Sequence, residues 1–210
     1  MVATCTTELD IVNAALRYLG GRGNISTTDT TNSAVEMRAA FRLVRDTLIR
    51  SYNWNCCIKE DTAALLEEIK GADRPYVYAI PSDCLQIISM NGQFTGYSGA
   101  ETVERYNPLY KIRGQKIYTR IKYPLIIEYS FRNEDVTSYD ASFCTVLALD
   151  LALATCERIT QSDSKFQRLT QLRRTAIDEA LRANALEIPA RPKPTGNWLR
   201  SRRFIEWGQE

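Results

Sequence analysis

Residues 143–156 read FCTVLALDLALATC, apolar on almost every side of a helix. A helix lying on a protein surface needs only one apolar stripe, so an all-round apolar helix must be enclosed by protein or by lipid. The run falls short of the roughly 18 residues of a membrane span, and Asp150 interrupts it. Asp140, Glu157 and Arg158 bracket it. The stretch therefore reads as the central helix of a bundle, and the rest of the chain has to supply what surrounds it.

Downstream, the pattern breaks at residues 160–162, where Ser162 or Ser164 can cap a last long helix. Phe166, Leu169, Leu172, Ala176, Ile177, Ala180 and Leu181 recur at helical spacing and predict its apolar face. Arg168, Arg173, Arg174 and Arg182, with Asp178 and Glu179, fall on the wet one. Upstream, Thr6 or Thr7 caps a first helix carrying Ile11, Val12, Ala15, Leu16 and Leu19. The GGRGN stretch that follows reads as a C-cap and loop; it lacks the Gly-Lys-Ser/Thr ending of a phosphate-binding loop. Ser33 and Glu36 have capping-box spacing and predict the start of a second helix with Met37, Phe41, Val44 and Leu48 on one face. Arg38, Arg42, Arg45 and Arg50 are assigned mainly to its solvated faces. Trp54 reads as an anchor where this helix ends.

Between the two helical parts the texture is that of β structure. Residues 76–80 (YVYAI) and 85–90 read as strands separated by Pro81, Ser82 and Asp83. Residues 110–113 and 116–119 flank Gly114 and Gln115 as a hairpin, and PLIIEYSF at 124–131 is the last strand. Residues 91–107 are Gly-rich and polar, and read as an exposed loop or irregular strand pair. The fold class expected is α+β: a four-helix bundle body formed by N- and C-terminal helix pairs (residues 1–55 and 137–187), an inserted, mostly antiparallel β domain (56–136) and an extended C-terminal arm (188–210).

Composition narrows the chemistry. The 210 residues hold 27 Lys and Arg against 25 Asp and Glu, so the chain as a whole has no field that would draw nucleic acid. It has no histidine, which removes Ser-His-Asp and Cys-His catalysis and the commonest metal ligand. Six cysteines, at 5, 56, 57, 84, 144 and 156, include no Cys-x-x-Cys pair and read as buried thiols. The opening MVATCTTELD has no basic stretch followed by an apolar one, which predicts cytoplasmic synthesis without a secretory signal. Glu60 with Asp61, Glu67 with Glu68, and Glu134 with Asp135 are assigned to loops or exposed faces, where neighbouring acids point apart and stay ionised. Asp150 needs a basic or hydroxyl partner, within the bundle or from a neighbouring subunit, because an unpaired carboxylate is costly to bury. No catalytic, cofactor-binding or metal-binding residues are assigned.

The arm differs from the rest. Pro189, Pro192 and Pro194 forbid a continuing helix. Arg191, Lys193, Arg200, Arg202 and Arg203 alternate with Trp198, Phe204 and Trp207. Arg with aromatic anchors is a composition enriched at interface hot spots, so the arm reads as a docking segment. Folding back on its own domain is the competing reading.

Five segments, in order, carry a resemblance: ALRYLG at 15–20 with Ile25 and Ser26, RDTLIRSYNWN at 45–55, YVYAIPSDCLQI at 76–87, YKIRGQKIYT at 110–119, and IIEYSFRNEDVTSYDASFCTVLALDLALA at 126–154. Together they resemble the tail tubular protein A family, the ring-forming tail adaptors of short-tailed bacteriophages. The resemblance implies a non-enzymatic virion protein, assembled in the host bacterial cytoplasm, that forms a homo-oligomeric ring of about twelve copies. Such a ring would join portal protein to tail nozzle protein, carry tail fibres and leave a channel for genomic DNA, with no membrane span and no cofactor. By the same resemblance the arm would grip the portal. The alternative is a nucleic-acid-binding or regulatory module using the basic arm, which predicts steep salt dependence.

Overall fold

Thr7 opens the first helix through a reciprocal cap, satisfying amides that have no partner inside the helix. In the computed structural model, which describes residues 5–21, 25–94 and 110–187, α1 spans Glu8–Tyr18. Thr7 Oγ1 accepts from the Asp10 amide at 3.3 Å, while Asp10 Oδ2 accepts from the Thr7 amide at 2.9 Å. The Thr7 hydroxyl, foremost among the donors around it, holds the Asp10 carboxyl below its ordinary value. Gly20 leaves the helix at φ +83°, and Gly21 passes so close to Leu16 that a Cβ there would lie 2.5 Å from it. The first position demands glycine for its conformation, and a side chain at the second would require Leu16 to shift.

The second helix, α2, spans Asn32–Ser51 and starts two residues earlier than the Ser33–Glu36 pattern predicts. Its N-cap is Thr31, and no side chain caps it. With Thr31 as N-cap, Ser33 lies inside the helix and Glu36 is not at the N3 position, so no capping box forms; Glu36 instead accepts from Nη1 of Arg158 at 2.5 and 2.6 Å. Met37, Phe41 and Leu48 are buried, and Val44 is half-buried.

After a short 3-10 turn at Asn55–Cys57 come, among the described residues, eight strands: β1 Ile58–Ala63, β2 Leu65–Glu68, β3 Tyr76–Ala79, β4 Cys84–Met90, β5 Gln93–Phe94, β6 Tyr110–Arg113, β7 Lys116–Thr119 and β8 Leu125–Phe131. They form two antiparallel four-stranded sheets, ordered β1-β8-β4-β5 and β2-β3-β7-β6. Residues 58–68 were not expected as strands; both acidic pairs within them are exposed, as one of the two expectations had it, but on edge strands. An edge strand faces water on several sides, so its sequence loses the apolar alternation that marks a strand. Of the two expectations for residues 91–107, a loop or an irregular strand pair, the described part begins as the second: Asn91 (φ +47°) and Gly92 (φ +76°) make a two-residue turn that pairs Met90 with Gln93. Residues 95–109 lie outside the described residues.

The sheets share a core. Ala63, Ile87, Met90, Leu125, Ile127 and Tyr129 of the first pack with Tyr78 and Ile117 of the second. Because β1 and β2 are separated only by Ala64, one nearly continuous ribbon serves both sheets.

Helix α3, Ala141–Thr160, contains the apolar stretch that heads the sequence reading. Asp140 caps it, accepting from the Ser142 amide at 3.1 Å, and Gln161 ends it in the left-handed region. Helix α4 spans Asp163–Leu186; the Ser162 side chain makes no cap hydrogen bond. α3 packs against α1, α2 and α4, and ten of its residues are buried, from Phe143 to Cys156, which is the enclosure its composition requires. The apolar face expected of α4 is only partly covered. Leu169, Ile177 and Ala180 are buried, whereas Phe166 and Leu172 are exposed. A helix with one packed neighbour buries a narrow stripe; Leu172 lies to one side of it, and Phe166 belongs to the first turns of the helix. Trp54 is buried at the end of α2, where its Nε1 donates to the Leu48 carbonyl at 3.1 Å and its ring meets Phe143 edge-on at 5.1 Å. No helix among the described residues is long and apolar enough to cross a membrane.

Candidate assembly surface

Asp150 is the polar residue that the apolar helix must accommodate, and Arg173 of α4 is its partner. Arg173 Nε donates to Asp150 Oδ1 at 2.5 Å and its Nη2 donates to Oδ2 at 3.2 Å, a two-pronged contact. The hydrogen bond to Asp150 raises the Arg173 guanidinium above its ordinary value, against the opposing effect of partial burial. The sequence pattern assigned Arg173 to the wet face of α4; it is half-buried because the carboxylate draws it onto α3. Asp150→Ala is expected to cost about 1–2 kcal/mol, since the pair is charge-assisted and bidentate but not fully desolvated. Urea midpoints of D150A, R173A and the double variant measure the coupling, which should be about 1 kcal/mol and weaken with salt.

A second polar cluster joins the helices to the first sheet. Arg45 was assigned to the solvated side of α2, yet it is 2% exposed. Its Nε donates to Asp46 Oδ1 at 3.0 Å and its Nη2 to Glu134 Oε1 at 3.3 Å, while Arg132 Nε donates to Asp46 Oδ2 at 2.8 Å. Burial works against the Arg45 charge, but the Asp46 hydrogen bond and the charges of Asp46, Tyr139 and Glu134 together raise its pKa. Arg132 and Glu134 belong to the connection from β8 to α3, so the network ties α2 to the place where the chain returns to helix. Arg50, the last arginine of α2, donates to the Leu85 carbonyl at 3.1 Å and adds a tie to β4.

The thiols are structural in character. Cys57, Cys144 and Cys156 are buried and the other three are half-buried; all six are free. Burial pushes Cys84 up to about 11 and Cys144 up to about 12. Cys56 and Cys57 lie 3.7 Å apart, and the contact lowers Cys56 while raising Cys57. Among the described residues no cluster of three or more His, Cys, Asp or Glu has metal-binding geometry.

Several apolar side chains lie on the outside. Val35, Ala39 and Leu43 follow one another at helical spacing of four along the outer face of α2, and all three are exposed, Leu43 by 72%. Phe166 and Leu172 are exposed on α4. A hollow of about 600 Å³ between α1 and α3 is lined by Thr6, Asp10, Arg17, Cys144 and Thr145 among others. It brings one carboxylate and one guanidinium to a wall otherwise made of small residues and Tyr18. The docking candidates Arg191, Lys193, Trp198, Arg200, Arg202, Arg203, Phe204 and Trp207 lie outside the described residues. Sequence reasoning missed Arg45 and the strand edges; an arginine at the i+4 position after Phe41 and three before Leu48 was the available signal for the first.

Compared with known proteins, the chain matches no protein-family model and no curated protein.

Proposed function

We propose that the chain is a structural virion protein, a tail adaptor that forms a ring between the portal and the tail nozzle of a short-tailed bacteriophage. The observation that carries this reading is the order of elements: two helices, a β section of two antiparallel sheets, and two further helices, with α3 in contact with the other three. That order is the one implied by the five segments resembling the tail tubular protein A family. In this reading the helices form a four-helix bundle body from residues 1–55 and 137–187, shared between neighbours, with residues 56–136 as an inserted β domain. The exposed apolar positions on α2 and α4 supply contact surface between subunits, as contiguous apolar exposure commonly does. The ring, of about twelve copies as the resemblance implies, leaves a channel through which genomic DNA passes without base-specific contacts, and its side carries tail fibres. Residues 188–210 are the arm that grips the portal, with arginines and aromatics as anchors. The protein acts without turnover.

Native mass measurement and electron microscopy of the full chain, alone and mixed with portal rings, test this. A closed ring bound to the portal is expected, and a chain ending at Glu187 should lose at least about tenfold in portal affinity. Equal affinity without the arm would overturn its docking role. A chain that stays monomeric in both conditions and binds duplex DNA with steep salt dependence would replace the adaptor by the nucleic-acid module.

A further inference from the structure

The sheet β2-β3-β7-β6 ends in two edges of opposite charge. Among the described residues β2 pairs only with β3, and β6 only with β7. β2 reads LLEE and β6 reads YKIR. All four residues of β2 are exposed, as are Lys111, Ile112 and Arg113 of β6. Glu67, Glu68, Lys111 and Arg113 make no ion pair among the described residues. Asp73, which feels the charge of Lys111, is already held by Arg120 and Arg74. Charge guards an open edge against indiscriminate pairing. Here the guard has opposite signs, so β2 against β2 or β6 against β6 is repelled while β2 against β6 is attracted.

Geometry agrees with charge. The four strands alternate in direction, so β6 of one copy continued by β2 of another is an antiparallel pair. Two cross-strand rows run the full width of the sheet. Leu65, Tyr78, Ile117 and Ile112 form one, and Glu67, Val77, Tyr118 and Lys111 form the other. Leu65 and Ile112 are 42% and 48% exposed, although the two residues between them are fully buried. Continuing the sheet into a second copy places Ile112 against Leu65 and Lys111 against Glu67: an apolar pair and an ion pair in adjacent rows.

We propose that β6 of each copy adds antiparallel to β2 of the next, head to tail, as the contact that sets the order and register of self-assembly. The closure of that assembly into a ring rests on the adaptor reading, since a head-to-tail contact closes or runs on as a filament according to its rotation. Four residues on each side make a patch smaller than the roughly 1,000 Å² of a stable interface, so the strand pair directs an assembly that the helical surfaces also hold.

Two full-length variants test this by sedimentation velocity at low ionic strength. Lys111→Glu with Arg113→Glu leaves both edges acidic; Glu67→Lys with Glu68→Lys leaves both basic. Each variant alone should need at least about tenfold more protein than wild type for half-assembly, whereas an equimolar mixture should recover wild-type assembly by alternating the two chains. All substitutions are on exposed strands, and recovery in the mixture is its own proof of folding. Variants that assemble separately as readily as wild type overturn the strand contact and leave the ring reading intact; edges covered by another part of the same chain give this result. Failure of the mixture, with native circular dichroism for both chains, also overturns it. A wild-type chain that stays monomeric over the same range overturns the self-assembly on which both readings depend.

Discussion

Phe143→Ala lowers the stability of the folded chain by about 3–5 kcal/mol, the largest effect expected of any single truncation in α3. Phe143 is fully buried where three parts of the chain converge. Its ring meets Trp54 from the end of α2 edge-on at 5.1 Å and Tyr139 from the β8–α3 connection at 4.8 Å. Tyr139 in turn donates its hydroxyl to the Asn133 carbonyl at 2.6 Å, so the ring cluster also fixes the entry into α3. Removing the Phe143 ring forfeits its transfer from water, two edge-to-face contacts and the support of a buried Trp that is itself hydrogen-bonded and cannot simply move in. The measurement is the urea midpoint by circular dichroism. A loss under about 1 kcal/mol would mean that the cavity collapses, and that the junction is less rigid than the ring geometry implies.

Arg45→Ala is expected to cost about 3 kcal/mol, and Arg45→Met about half of that. The two substitutions separate packing from charge: Met replaces most of the buried stem, while neither residue satisfies Asp46 or Glu134. The loss stays below the upper range for a broken buried pair because the carboxylates left behind are not sealed from water: Glu134 is exposed and Asp46 keeps Arg132. Equal midpoints for R45M and wild type would show that the ion pairs contribute nothing net. Because Arg45 links α2 to residues 132–134, its loss should also raise hydrogen exchange selectively in the β8–α3 connection.

Particular residues show why parts of the fold were legible beforehand and others were not. The run around Leu147 needs no partner's identity to be read as enclosed: apolar side chains on all sides of one helix leave no water-facing solution. Thr7 with Asp10 and the glycines at 20 and 21 act within a few residues, so their cap and exit are local and readable. Tyr76–Ala79 and Leu125–Phe131 announce themselves because interior strands are buried enough for aromatic and β-branched residues to dominate. Ile58–Ala63 and Leu65–Glu68 do not, since edge position replaces apolar residues with acids. The Asn-Gly at 91–92 was a turn signal in plain view, hidden by the polar stretch that follows it.

Sequence by itself determined the class of the chain: a central apolar helix, flanking helices with single apolar stripes, a β section between them, and chemistry without histidine. These follow from short-range periodicity and composition, which every tertiary arrangement must respect. Only the tertiary structure decided how polar groups pair: Glu36 with Arg158 instead of its own helix end, Asp150 with Arg173, Arg45 buried among Asp46 and Glu134, and acidic and basic edges at opposite ends of one sheet. Each depends on residues far apart in the chain, which short-range periodicity does not report; Arg45 and Asp150 in addition sit where an unpaired charge would be costly.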